Sequence, residues 1–523
     1  MPKRQLILRI LFGNAIAFCA LTASGQQSNA TVRSLSLRDC IETALEHNLN
    51  LQIGRLSPAV ARYRWKTSRG IYDPVLTLSA AKTFVDQPAQ LDPKKTGTDA
   101  EYELQADPFG PGLSGRLPYG LTYNFNWIAT YAHVFTIFPS NVFDLTGPAF
   151  VNGFFPNGLR NTNAWFQTAG VSLAQPLLRD FWIDIYSLTI QTNKKDLQIS
   201  EQMFKGLVMT NIAAVETNYY DVVLGREQIK VQRKSLEVAS QLLSDVQKQV
   251  RAGTLRELDT KQAEAAVETA RSVLAGAEGA YITAKNNLKN RLSDRLQDWM
   301  STEIEPSENL LAINIPPDSQ ESWMNALTSR PDLLAMRLEL EKQHIVLRYY
   351  HNQLFPALNV TGSYGFQEEM HSFSDSMNEL RHGANAYYSA GLLLSVPVRN
   401  VLARNNYNAG KVANQQAILS MTKLQQDIIT EVDNAVKLVQ STFIQVGATR
   451  KAREFAEAAL DSQIKMFNAG EVTPFMVLEF QRNVTAARSA EVLALAEFNK
   501  AKALLALSEG TILQKHNINL KLH

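Results

Sequence analysis

The sequence has 523 residues with 52 basic and 50 acidic side chains. That length allows three or four domains, and the near-neutral charge excludes a nucleic-acid partner held by electrostatics. At the N-terminus, Lys3, Arg4 and Arg9 accompany an apolar run from Leu6 to Leu21, followed by small residues. This predicts a secretory leader over residues 1–25, cut after Ala23-Ser24-Gly25, with Ser28-Asn29-Ala30 as a second cleavage site. Cys19 follows Phe18, where a lipoprotein signal needs a small residue, so lipidation is not expected. Losing the three leader cations takes 52 basic residues to 49, against 50 acidic, and leaves Cys40 as the single cysteine. An intrachain disulfide is thereby excluded. No later run of 18 apolar residues exists, so passage through a membrane requires a β-barrel.

The two halves of the remaining chain match in order. Ala44-Leu45, Asn50-Leu51 and Arg55-Leu56 recur as Ala326-Leu327, Asp332-Leu333 and Arg337-Leu338, each 282 positions on. Pro74 and Pro356 keep that offset, and each ends a helical pattern and opens a strand-like run, Val75 to Phe84 and Ala357 to Phe366. The offset then falls to 221: Ala169-Gly170, Leu173 and Pro176 match Ala390-Gly391, Leu394 and Pro397. The first half thus carries about 61 extra residues within 85–163. At Ala252-Gly253 and Ala469-Gly470 the offset is 217. An ordered series of this kind predicts a duplicated unit of short helices, strands and a long helical hairpin. The expected units are 31–305 and 321–510, joined by a linker over 306–320 that contains Pro306, Pro316 and Pro317, and followed by a tail over 511–523.

The extra residues contain an alternating run, Leu117, Tyr119, Leu121, Tyr123, Phe125 and Trp127, interleaved with small or polar residues. Trp165, Gln167, Ala169, Val171 and Leu173 alternate likewise. This is the pattern of membrane strands with aromatic girdles, although a soluble sheet with one wet face reads the same way. The insertion is either an extra membrane hairpin or an extracellular loop, and the alternation favours the hairpin. Four to six strands per chain cannot close a membrane barrel, so several protomers must share one.

From Leu177 to Glu305 there is no proline. Aliphatic residues recur every seven positions at Val208, Val215, Val222, Ile229, Leu236, Leu243 and Val250, then stop at Gly253. This predicts two long packed helices folded back at a glycine tip. In the second unit, Ile429, Val432, Val436, Val439, Phe443 and Val446 fill the same role before Gly470. The first return helix is rich in alanine (Ala263, Ala265, Ala266, Ala270, Ala275, Ala277), which suits close helix packing. Pro474 fits the first turn of the second return helix, with Thr473 as its cap.

These features, together with Gln175-Pro176-Leu177-Leu178-Arg179 and Ser395-Val396-Pro397, resemble the TolC family of outer-membrane efflux proteins over nearly everything after the leader. The resemblance implies a mainly α fold with membrane β: a long periplasmic α-helical barrel plus an outer-membrane β-barrel shared by a homotrimer. It implies passive export of small molecules or proteins, in efflux or type I secretion, driven by an inner-membrane pump through a periplasmic adaptor (membrane fusion) protein. By the same resemblance, Arg251, Ala252, Gly253, Thr254 and Leu255, and Asn468, Ala469, Gly470, Glu471 and Val472, are adaptor-docking turns. The family's paired aspartates, six and nine residues after the second tip glycine, fall at Met476 and Glu479; the first-unit equivalents are Asp259 and Gln262. A double aspartate ring is therefore absent. Three copies of Glu479 around a pore would favour cations, and a solvated helix face is the competing reading.

No catalytic motif for zinc proteases, serine hydrolases, P-loops or dinucleotides is present. His344 and His351 are two helical turns apart, too far for a metal pair. No cofactor and no enzyme activity are expected. The alternative to a channel is a trimeric coiled-coil spacer or adhesin, which needs no duplicated strand pairs.

Overall fold

The computed structural model describes residues 32–87, 101–137, 159–312 and 317–520. The expected leader and its cleavage sites lie outside them. Strand β1 (Val32–Leu35) leads into α1 (Leu37–His47), which opens with a reciprocal cap: Ser36 Oγ accepts from Asp39 N, and Asp39 accepts from Ser36 N. Asn48 ends α1 and caps α2 (Leu49–Arg69) by accepting from Leu51 N. After Pro74 come β2 (Val75–Ala80), β3 (Thr83–Gln87), β4 (Glu101–Arg116), β5 (Thr122–Ile137) and β6 (Leu159–Pro176). The first hairpin is α3 (Ile185–Arg251) and α4 (Glu257–Leu292), followed by α5 (Leu296–Met300) and β7 (Glu303–Pro306). The second half has α6 (Ser319–Ser329), α7 (Pro331–Asn352), β8 (Ala357–Met370), α8 (Phe373–His382) and β9 (Ala386–Ser395). It closes with α9 (Val401–Asn468), α10 (Pro474–Ser508) and α11 (Ile512–Lys515).

Helix α3 has 67 residues, about 100 Å at 1.5 Å per residue. Asp184 starts it, accepting from Ser187 N at 2.7 Å. No single neighbour covers that length. Near its start α3 lies between α2 and α7: Gly54 of α2 admits Phe204 and Leu207, while Lys195 and Asp196 pair with Glu341 and Lys342 of α7. Further on it lies between α4 and α10. Gly225 admits Tyr281 of α4, and Gln228 and Ser235 bond to Ser489 and to Gln481 and Thr485 of α10.

The heptad column records this exchange. Val208, Val215, Val222 and Ile229 are buried as expected. Beyond Ile229 the buried positions are Gln232, Ala239, Leu242 and Val246, whereas Leu236, Leu243 and Val250 are only half-buried. The seven-residue spacing survives, but the seam steps by three residues because the partner changes to α10. In α9, Val432, Val436, Val439 and Val446 are buried, and Ile428 takes the place expected of Ile429.

Two cores flank the middle of the molecule. Ala44 and Leu51 are buried with Val208, Val215 and Leu288 in one. Ala326 and Leu333 are buried with Val432, Val436 and Phe498 in the other. At the end of the expected first unit, running into the first linker residue, β7 pairs in parallel with β1, and Ile304 is buried. Arg226 holds the next residues by donating to Pro306 O, Glu308 O and Asn309 Oδ1. Cys40 is fully buried, and burial pushes its thiol up to about 12, so it is unreactive.

The sheet runs β2-β4-β5-β6-β8-β9, antiparallel throughout, with β3 continuing the line of β2 along β4. The extra residues therefore contribute a hairpin, β4–β5, inserted between β2 and β6. The segment Leu117–Leu121, expected as strand, is instead the turn of that hairpin. Pro118 cannot donate to a ladder, and Gly120 sits at φ +84° against Pro176 and Asp180 O. Register places Tyr123, Phe125 and Trp127 opposite Leu173, Val171 and Ala169 on one apolar face. Asn124 and Asn126 lie opposite Ser172 and Gly170 on the other. Among the described residues no helix is long and apolar enough to cross a membrane.

After α10 the chain folds back, and Lys515 and His516 both contact the fully buried Glu216 of α3. Burial opposes the Glu216 charge, but the His516 hydrogen bond and the Lys515 charge outweigh it and hold the carboxyl below the usual glutamate range. This stabilisation is full above the ordinary glutamate pKa and is lost as pH falls through the lowered folded value. Glu216→Ala should cost ~1–3 kcal/mol locally. Limited proteolysis would then trim the chain beyond Ser508 at least about fivefold faster near neutral pH, a difference that should shrink in acid. An unchanged trimming rate would show that the pair does not hold the C-terminus.

Candidate docking tips and periplasmic aperture

The two hairpin tips close with the same hydrogen bonds. In the first, Gly253 N donates to Val250 O and Thr254 N to Gln249 O, both at 3.0 Å. In the second, Gly470 N donates to Phe467 O and Glu471 N to Met466 O, again at 3.0 Å. This 6→1 plus 5→2 pair satisfies the last helical carbonyls and needs a left-handed residue after the cap. Gly253 and Gly470 supply it at φ +78° and +80°, with open space around each. Arg251, Ala252, Gly253 and Thr254 are exposed, as are Asn468, Ala469, Gly470 and Glu471. Leu255 and Val472 instead turn inward. They join Leu242, Val246, Phe467, Val477 and Leu478 in a small core that binds one hairpin to the other just above the tips.

The return helices start differently. Asp259 accepts from Arg256 N at 3.0 Å, capping α4. Its carboxylate is thus committed to the helix start, a role that explains the residue without a pore. α10 begins with Pro474 at its first position, and Thr473 makes no side-chain capping bond. Gln262, Met476 and Glu479 are exposed. Glu479 pairs with Arg482 at 3.6 Å one turn on, which tempers its charge.

Two residues escaped the sequence reading. Leu258 and Phe475 occupy equivalent second positions of α4 and α10, and both stand open to solvent (61% and 53%). The signal was available: they keep the 217 offset of the tip glycines. A large apolar residue with no partner in the first turn of both helices is unusual on a wet surface.

The profile of the outer membrane efflux protein family matches residues 157–293 and 324–511, more than half of the chain. The chain therefore belongs to the outer membrane efflux protein family and is located in the outer membrane. The cation efflux system protein CusC of Escherichia coli strain K12 is 20% identical over 364 residues, 69% of this chain and 76% of that protein. The pyoverdine export outer membrane protein OpmQ of Pseudomonas aeruginosa is 23% identical over 326 residues, covering 62% and 66% respectively. Among solved structures, the outer-membrane channel OprN superposes with a TM-score of 0.64 at 16% identity, covering 91% of this chain and 90% of that one. The CmeC channel of Campylobacter jejuni gives 0.63 at 15% identity, covering 98% of each.

Because nothing crowds either tip glycine, Gly253→Ala and Gly470→Ala are strained by backbone alone, about 1 kcal/mol each. Amide exchange should accelerate at 249–254 or 466–471 while the sheet is unaffected. Unchanged exchange at the tips would mean the turns tolerate a side chain.

Proposed function

We propose that three copies of this chain form one channel, a β-barrel in the outer membrane continued by a periplasmic tube of helices, through which cargo leaves passively. The observation that carries this is the sheet. Its edges, β2 and β9, are unpaired among the described residues and carry exposed Leu76, Leu78, Leu392 and Leu394. Its apolar face suits lipid, and an open edge cannot remain there.

The helices point the same way. α3 packs against α2, α4, α7 and α10, whereas the main partners of α9 are α6, α7 and α10. α9 leaves Val412, Leu419, Ile444 and Phe455 bare; α2 leaves Ile53, Leu56 and Tyr63, and α4 leaves Val273 and Ile282. Setting α2 and α4 of the next copy against α9 would give α9 the surroundings that α3 already has. The two chain segments 31–305 and 321–510 would then act as repeated units, six around the ring. The exposed alanines Ala265 and Ala275 of α4 leave room for that approach.

The tips at 251–255 and 468–472 serve as docking turns for a periplasmic adaptor linked to an inner-membrane pump. Leu258 and Phe475 add apolar anchors of the kind an interface centre uses. The aperture reading rests on Glu479 alone, because Asp259 is a cap and Met476 and Gln262 are uncharged. Relatives named for cation efflux and pyoverdine export support export as the activity, with no cargo assigned. A coiled-coil adhesin would leave the lipid-suited sheet unexplained.

Purified protein should migrate as a heat-resistant trimer and conduct ions in planar bilayers; soluble, non-conducting trimers would end the channel reading. Glu479→Ala should reduce cation preference severalfold, and an unchanged preference would remove Glu479 from the gate. Leu258→Asp with Phe475→Asp should keep conductance and abolish export in cells. Normal export would show that docking does not use this pair.

A further inference from the structure

We propose that the β4–β5 hairpin is part of the membrane wall, so that the shared barrel has eighteen strands, six from each copy. This rests on the trimeric channel proposed above. Among the described residues, β8 and β9 are the only strands of the second half in the sheet, while the first half supplies the line of β2 and β3, then β4, β5 and β6. Two strands on each side would make a barrel of twelve; the hairpin raises it to eighteen.

Three observations place the hairpin in lipid rather than in a loop. First, it is fully integrated: β4 pairs with β2 and β3 on one side and with β5 on the other, and β5 pairs with β6 over its whole length. Second, it carries both aromatic girdles on the apolar face. At the upper level Phe109 and Trp127 meet edge to face at 6.3 Å. Phe109 also meets Trp165 at 6.2 Å, and Tyr131 lies 5.1 Å from Trp165. At the lower level the hairpin turn puts Tyr119 6.1 Å from Trp182 and 6.4 Å from Phe181. From Thr122, where β5 leaves the turn, to Tyr131, the far side of the upper level, is about 30 Å along the strand. At a tilt of about 40° that is about 23 Å of height, close to the apolar band of an outer-membrane barrel. Third, the polar side chains of this face sit at its ends: Gln175 donates to Tyr119 O at the lower level, and Gln167 and Glu368 at the upper level are covered. Gln167 is fully buried beneath α8, accepting from Trp127 Nε1 and donating to Ser376 Oγ and Phe373 O. Glu368, also buried there, accepts from Asn385. α8 turns Ser374, Asp375, Asn378, Arg381 and His382 outward, a polar surface at headgroup level.

The opposite face is lined mainly by small and polar residues, Asn124, Asn126, Gly170, Ser172, Ser363 and Ser389 among them, with Ile128, Phe166, Tyr387 and Leu393 as interruptions. Such a lining leaves the lumen open. Barrel diameter grows roughly linearly with strand number, so eighteen strands give about one and a half times the width of twelve. The width limit on cargo then lies in the helical tube.

The test is spin labelling of single cysteines in the full chain, scored only on heat-resistant trimer in bilayers. The buried Cys40 leaves the background unlabelled. Asn124→Cys and Asn126→Cys should be accessible to a water-soluble nickel complex, and Leu113→Cys and Phe125→Cys to oxygen in lipid. Val360→Cys and Thr361→Cys in β8 serve as the reference pair. A bulky label at Asn126→Cys should also lower single-channel conductance. Alternation in β8 without alternation in β5 would overturn the hairpin's place in the wall while leaving the channel standing. Alternation in neither would overturn both.

Discussion

The chain depends on two helices that outlast their neighbours. α3 and α9 are each nearly 70 residues long (67 and 68), and no second helix of the chain accompanies either from end to end. Both must exchange partners midway, and the two cores sit where the exchange happens. On α3 it appears as a three-residue step in the buried column, from Ile229 to Gln232. A step of three moves the buried seam between the two apolar positions of a heptad, so one continuous helix meets a new partner without a kink. Short helices, connector strands and the C-terminus gather at that level because every incoming and outgoing partner ends there. Two polar anchors secure it: the half-buried Arg226 on three acceptors and the buried Glu216 under Lys515 and His516.

Much of this was legible in the sequence because it is written in periodicity. The long helices, glycine turns and duplicated short helices follow from spacing alone, and Pro74 and Pro356 mark where helix gives way to strand. β4 was not legible. It contains Pro108, Gly110, Pro111 and Gly112, residues that argue against a strand in isolation. They are tolerated because they bring small groups to a face where close approach is needed: a Cβ at Gly110 would meet Trp127 O at 2.0 Å. The misreading of Leu117–Leu121 has the same origin. An alternating pattern ran on past the point where Pro118 and Gly120 reverse the chain.

The tips show the limit of spacing from the other side. Gly253 and Gly470 are equivalent in sequence and nearly identical in backbone. The return helices beyond them are not equivalent: one aligned position holds an acidic helix cap in the first unit and Met476 in the second. Position predicts geometry; the hydrogen bond made by each side chain decides its chemistry.

That inequality has a mechanical side. One return helix is fastened at its start by a side-chain hydrogen bond, the Asp259 carboxylate accepting from Arg256 N, and the other is set only by the fixed torsion of a proline. In the proposed trimer, a ring of six such turns would resemble a gear with alternating rigid and yielding teeth. Anything that meshes with it would have to keep a threefold rhythm, even though the outline would repeat six times.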